Sequence, residues 1–357
     1  MNDLILCLKT AVKNTRISIH TNREQLFLIT VKHPGEKLSE FQSVNDQFEY
    51  RKDIVLNELK KADFDFNDIA IIVCKGGVIK PMDGGVYLVN DAMLKDLSRP
   101  MADHESNLGV LIANEIAKLS SRDTKAIIVD PACVDEMDEI AKISGMPDIT
   151  RKSILHTLSQ RTVAESFARA IGKDYNSINV IVAHIGTGIT VGAHRKGKIV
   201  DVNNGLAGDG PMSSQRAGSL PVAQLINLCY SGKYTRQEMM RKVCGNGGLR
   251  GYLGTSDALK IEKMIKEGDE KAELVYRAMA YQVAKEIASQ SAVLMGEVDG
   301  ILLTGGIAYS RLIVEEITKR VKHIADVSIY PGENEMRALA ASGLMVLNNE
   351  VEAKEYV

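Results

Sequence analysis

Apolar and polar positions along the chain fall into two series that resemble each other. The first opens with three short alternating or apolar stretches, 4–8 (LILCL), 16–20 (RISIH) and 26–32 (LFLITVK), whose close succession predicts a β-meander. Helical spacing follows around Ser43–Lys61. IAIIVC (69–74) is then an unbroken apolar run ending at Gly76-Gly77, as expected of a strand buried on both faces. Helical spacing over Asn107–Ser120, a second buried run KAIIVDPA (125–132) and helical spacing over Val163–Ile171 complete the series.

The pattern restarts at 179–202, where NVIVAHIGTGITVGAHRKGKIVDV reads as strand, tight turn, strand, turn, strand. Helices are predicted at 221–230, 235–243, 256–267 and roughly 269–295. A buried strand GILLTGG (300–306), a helix (309–322), a short strand (327–330) and a last helix (334–347) close the chain. Two series of one design point to duplicated α/β domains, with the division on or near a helix at 150–165 and a ligand cleft between the halves.

Composition narrows the function classes. At 357 residues the chain exceeds one ordinary core, so two domains are expected. The formal net charge of -2 carries no basic excess for nucleic acid or a membrane surface. Trp is absent and aromatics are 5%, which argues against a stacking platform for bases. Cys7, Cys74, Cys133, Cys229 and Cys244 form no CxxC pair, which suits a reducing compartment. No apolar stretch nears the ~20 residues of a membrane span, and the N-terminal apolar run is short for a signal peptide. A cytoplasmic protein is expected.

Four segments carry possible chemistry. His184-Ile-Gly186-Thr187-Gly188-Ile-Thr190 joins a buried strand to a second strand through two glycines, which lets backbone N–H groups approach a phosphate. An ordinary glycine-bearing hairpin fits the same residues. Thr304-Gly305-Gly306 takes a buried strand into a helix, a geometry for a nucleotide or merely a common turn. The glycine-rich stretch 201–218 holds one arginine, Arg216, either a planar fork for a phosphoryl group or a solvated surface cation. Lys75-Gly76-Gly77 sets a cation at a strand end. His104, Ser106, Asn107 and Asp130-Pro131 stand at element ends, where capping accounts for them equally well.

Taken in order, KGGVIKPMDGGVYLVN, HESNLG, DPACVDE, RKSILHTLSQ, VAHIGTGITVGAHRKGKIVDVNN, GDGPMSSQRAGSLP, LCYSGKYT, GGLRGYLGT, AMAYQVAKEI, ILLTGGIAYS and YPGENEMRALA resemble butyrate kinase over almost the whole chain. That enzyme stands with acetate kinase in the superfamily of acetate and sugar kinases, Hsc70 and actin. The resemblance implies two ribonuclease-H-like domains, 1–155 and 156–333, with ATP in the cleft and the segment 334–357 crossing back onto the first. It implies transfer of the ATP γ-phosphoryl group to a short-chain carboxylate such as butanoate, with Mg²⁺, in a homodimer or higher homo-oligomer. It assigns Gly186, Thr187 and Gly188 to a phosphate loop, and Gly305 and Gly306 to the adenosine motif. Arg216 becomes the catalytic arginine and His184 a phosphate-proximal histidine. Asp130 and Glu335 are assigned to the metal.

The chain departs from the family at the first hairpin. Asn-Pro-Gly-Ser-Thr-Ser-Thr-Lys is replaced by Lys9-Thr10-Ala11-Val12-Lys13-Asn14-Thr15-Arg16, in which only Thr15 is kept and Arg16 is conservative. Thr15 and Arg16 are the expected phosphate contacts there, with Lys9 and Lys13 adding charge. Loss of the glycine is expected to hinder a backbone cradle, and Val12 removes a donor. Lys75 stands for an arginine, Ala207 for an aspartate and Gln215 for a glutamate. A short-chain carboxylate has a pKa near ~4 and is ionised at pH 7, so the reaction needs no base. Arg216 and His184 are expected to stabilise the phosphoryl oxygens, Lys75 to hold substrate and Asp130 to order Mg²⁺ or water. A degenerate, weakly active or non-catalytic relative that binds nucleotide or acyl phosphate is the alternative; a sugar kinase would require a catalytic aspartate base in another context.

Overall fold

A computed structural model describes residues 3–332 and 335–357. Glu333 and Asn334, in the YPGENEMRALA segment and at the expected domain limits, lie outside the described residues, as do residues 1 and 2. The described chain separates into two compact units, 3–134 with 335–357, and 135–332. Residues 135–155, assigned to the first half from sequence, belong to the second. Met137 and Leu155 join Ile199 and Val202 in one buried cluster, and the Asp138 amide donates to the Val200 carbonyl at 2.9 Å. Among the described residues no helix is long and apolar enough to cross a membrane.

The first unit is built on a six-stranded sheet. Its strands are β1 (Leu4–Ala11), β2 (Asn14–His20), β3 (Gln25–Lys32), β4 (Ile69–Cys74), β5 (Val86–Leu88) and β6 (Lys125–Val129), in the order β3-β2-β1-β4-β6-β5. β1, β2 and β3 form the expected antiparallel meander, while β4 and β6 run parallel to β1. β4 is buried throughout, and β3 at the edge exposes Leu26 and Leu28 while Phe27 and Ile29 face the core, as period-2 alternation requires.

The second unit repeats this connectivity with β7 (Asn179–Ile185), β8 (Ile189–Arg195), β9 (Lys198–Val202), β10 (Gly300–Gly305) and β11 (Val327–Pro331), in the order β11-β10-β7-β8-β9. β7, β8 and β9 are the meander; β10 and β11 are parallel to β7. The helix Glu270–Val293 buries Val275, Tyr276, Met279, Val283 and Ile287, a helical stripe facing the sheet. The helix Thr157–Ala170 packs Ala164, Phe167 and Ala168 on Val180, Val182 and Leu302. The chain is thus the duplicated α/β arrangement that its patterning predicts.

Some elements were hidden from patterning. The helix Thr157–Ala170 starts six residues before the expected 163, because its first turn buries Thr157, Ser159 and Gln160, polar residues that break the apolar period. β5 and the helix Asp91–Leu97 were not anticipated. β5 has three residues and depends on pairing with β6 and on the bond from the Leu88 amide to the Lys354 carbonyl at 2.9 Å. The helix expected from Ser43 begins at Phe48, after a 3₁₀ turn at Asn45–Gln47.

Candidate functional site

In the second unit the parallel strands β7 and β10 end side by side, with His184 paired to Thr304. The three-residue turn 186–188 follows β7 directly. Ser213 Oγ donates to the Thr187 carbonyl at 2.5 Å and Ser214 Oγ to the Gly186 carbonyl at 3.4 Å. In a trans peptide the N–H points opposite to the C=O. With these two carbonyls drawn towards the serines, the Thr187 and Gly188 N–H groups face the other way, as an anion cradle needs.

Arg216 sits in the same cluster. A Cβ on Gly188 would overlap its guanidinium, and its Nη1 donates to the Gly205 carbonyl. Ser213 holds this turn too, its Oγ accepting from the Arg216 amide at 3.1 Å and its amide donating to the Arg216 carbonyl at 3.0 Å. The long loop is ordered because Asn203, fully buried, accepts from the Val191 amide at 2.7 Å and donates to the Ile189 carbonyl at 3.0 Å. Gln215 donates to Ser256 Oγ at 3.1 Å. Gly305 takes φ +91°, and any side chain there would strike the Ile185 carbonyl, so Gly305 and Gly306 lie against the base of the 186–188 turn. His184, the turn, Gly305-Gly306 and Arg216 are therefore brought together.

One residue of this cluster was passed over in the sequence. His156 stacks on His184 with ring centroids 3.9 Å apart. Gln160 Nε2 donates to the Thr190 carbonyl at 3.2 Å and to Thr190 Oγ1 at 2.8 Å, and His156 Nδ1 is hydrogen-bonded to the same hydroxyl at 2.9 Å. Gln160 Oε1 accepts from His194 Nε2 at 2.9 Å, and Tyr175 donates its hydroxyl to His194 Nδ1 at 2.8 Å. Burial first, then the Arg161 cation, lowers His194 to about 3, so this link stays neutral. The signal for His156 was present in RKSILHTLSQ, but its partner is set by the fold.

In the first unit, β1 and β2 close through Val12-Lys13, with Ala11 opposite Asn14. Neither turn residue takes positive φ. Arg51, fully buried, donates from Nη1 to the Ala11 carbonyl at 2.9 Å and the Asn14 carbonyl at 3.3 Å, and from Nη2 to the Val12 carbonyl at 3.0 Å. The tight hairpin forms without the glycine, with a buried cation gathering its carbonyls. Thr15, expected to contact phosphate, has its buried hydroxyl bonded to His33 Nε2 at 2.9 Å and accepting from Arg51 at 3.3 Å, so it faces the interior. Arg16 donates to Thr30 Oγ1 on the meander at 3.3 Å.

Lys75, expected on substrate, and Glu335, expected on a metal, are bonded to each other. Lys75 Nζ lies 2.6 Å from Glu335 Oε1, and Lys9 Nζ pairs with Glu335 Oε2. Burial alone would raise the Glu335 pKa, but the Lys75 and Lys9 ammonium groups outweigh it and hold the carboxyl well below the ordinary range. Asp130 follows β6 at φ +39°, with its Oδ1 accepting from the Gly85 amide at 2.8 Å. Among the described residues no group of three or more His, Cys, Asp or Glu side chains is arranged to hold a metal. Glu335, with each carboxylate oxygen facing a lysine ammonium group, does not fit a protein-held metal ion.

A protein-family model described as the acetokinase family matches residues 147–351. The fold is similar to that of Porphyromonas gingivalis acetate kinase, with TM-score 0.77 and 17% identity over 97% of this chain and 100% of that one. It is also similar to a propionate kinase from Francisella tularensis subsp. tularensis SCHU S4, with TM-score 0.75 and 19% identity over 95% and 98%. Acetate kinase from Entamoeba histolytica matches with TM-score 0.73 and 16% identity over 96% and 98%. The family model spans more than half of the chain, and the residues it matches include the glycine turn after β7, Arg216 and Gly305-Gly306. This chain belongs to the acetokinase family, whose members are ATP-dependent carboxylate kinases.

Proposed function

We propose that this protein transfers the γ-phosphoryl group of ATP to a short-chain carboxylate, with butanoate the acyl group favoured by its motifs, giving an acyl phosphate and ADP. The observation that carries the reading is the Arg216 guanidinium seated against Gly188 of the β7–β8 turn. A carboxylate oxygen attacks phosphorus without a base, so the residues need only position and neutralise charge. Arg216 offers a planar fork to the equatorial oxygens, and Thr187 and Gly188 offer backbone donors. His184 fixes the plane of His156 and closes the floor of the turn, while Gly305 and Gly306 lie where a nucleotide base and ribose approach the same strand ends. Asp130 orders water through its fixed carboxylate. Thr15, Lys75 and Glu335 take no part in ligand contact under this reading.

The helix Val222–Cys229 supports a homo-oligomer, because none of its residues is buried and Val222 and Ile226 are exposed. Light scattering should give a dimer or larger, and Ile226→Glu should shift it towards monomer.

Trapping of acyl phosphate as hydroxamate, with C2–C6 carboxylates and ATP, tests the main reading. Formation should be highest with butanoate and fall ~10²–10³-fold in Arg216→Ala, with ATP binding retained. Tight ATP binding without product on any of these acids would overturn it.

A further inference from the structure

Two residues that depart from the acetokinase pattern, Lys9 and Lys75, converge on one carboxylate. Strand geometry makes this necessary. β1 and β4 are parallel, with Ile5 beside Ile71, Cys7 beside Val73 and Leu8 beside Cys74. Continuing that register sets Lys9 beside Lys75, and period-2 alternation turns both towards the face that carries Ile5, Cys7, Ile71 and Val73. The helix Glu335–Leu347 lies on that face. A Cβ on its Gly343 would be 2.7 Å from Val73 and 2.9 Å from Ile5, so the helix is held close. Its first residue is Glu335, whose carboxylate is 1% exposed and is met by both ammonium groups, themselves 12% and 15% exposed. A carboxylate at a helix N-terminus is also favoured by the helix dipole.

A divalent ion would need an oxygen of this carboxylate. Here each oxygen already faces a fixed cation, and the pair of lysines carries the same total charge as one divalent ion. Two ammonium groups on adjacent strand ends repel one another, so Glu335 is also what allows them to coexist.

We propose that Lys9, with Lys75, is a built-in cation that takes the place of a divalent metal at Glu335. The inference does not rest on the carboxylate-kinase reading.

The test uses the full chain without nucleotide or substrate. Mn²⁺ binding is followed by the electron paramagnetic resonance signal of the free ion. Wild-type protein should show no Mn²⁺ site that Glu335→Gln removes. Lys9→Asn should create a Mn²⁺ site at least ten-fold tighter than any in wild type. The double variant Lys9→Asn with Glu335→Gln should lose that Mn²⁺ site again. Lys9→Gln serves if Lys9→Asn does not fold, with melting curves as the check. A wild-type Mn²⁺ site lost on Glu335→Gln, or a Lys9 variant that folds and gains none, would overturn the proposal. This readout does not use acyl-phosphate formation, so failure of the kinase reading is seen separately.

Discussion

The hairpin of β1 and β2 and the hairpin of β7 and β8 hold matching places in two sheets of one connectivity, and they turn by different chemistry. The second uses glycines, with Ser213 and Ser214 taking the carbonyls of the turn and Arg216 filling the space that a Gly188 side chain would need. The first has no glycine, and a single buried guanidinium, Arg51, takes the carbonyls of Ala11, Val12 and Asn14. Both arrangements direct peptide N–H groups away from their support. The lesson is that a tight turn with an outward-facing backbone does not require glycine, whereas close approach of an arginine to the turn does. The first hairpin is therefore intact as structure and altered as a site: Lys9, on the strand leading into it, is committed to Glu335.

The sharpest way to break this contrast is Gly188→Ala. The added methyl displaces the Arg216 guanidinium, so acyl-phosphate formation should fall ~10²–10³-fold with little change in melting temperature. Adding Arg216→Ala to that variant should cause little further loss. Unchanged turnover in Gly188→Ala would show that Arg216 does not act beside the turn.

Arg51→Met should be the costliest change for stability. It strands three carbonyls of the first hairpin at once, and about 3 kcal/mol should be lost in urea unfolding. Ser213→Ala, which removes one hydroxyl from a comparable role, should cost about 1 kcal/mol by the same measurement. Equal effects would erase the distinction between a cation-gathered and a hydroxyl-gathered turn.

His33 provides a pH test under the first hairpin. Burial, then the Arg51 cation, lowers its pKa from 6.5 to about 4. Above pH 6.5 it is neutral whether folded or unfolded. Between 6.5 and 4 the unfolded chain takes up a proton that the folded one refuses, so stability falls as pH falls through that window, by at most about 3 kcal/mol. His33→Gln should flatten the stability–pH curve there by one proton. A curve with the wild-type slope would mean that His33 titrates normally.

Val12→Gly should have the smallest effect, within about 1 kcal/mol. Val12 lacks positive φ, so the substitution adds only backbone freedom. A clear gain in stability would show that the valine strains the turn.

Most strands and long helices were legible because burial on one or both faces imposes a period that the residues must obey. The meander at 179–202, the run at 69–74 and the helix over 270–293 are examples. Gly305 was legible as a turn because a side chain there has no room. The first turn of the helix Thr157–Ala170 was not, since Gln160 is buried for a bond to Thr190 and not for its hydrophobicity. Nor was the role of Arg51, whose side chain reads as surface charge on a helix until the hairpin carbonyls are found around it.

The sequence by itself determined the duplicated α/β design, the glycine turn after β7 and the residues from which a phosphoryl-transfer site is drawn. Local rules suffice for these, because periodicity and backbone freedom act over a few residues. Only the tertiary structure decided that His156 stacks on His184, that Arg216 rests on Gly188, and that Lys9 and Lys75 share Glu335. Those pairings join residues far apart in the chain, and charge or aromatic character names no partner until strand register and helix packing bring the groups within reach.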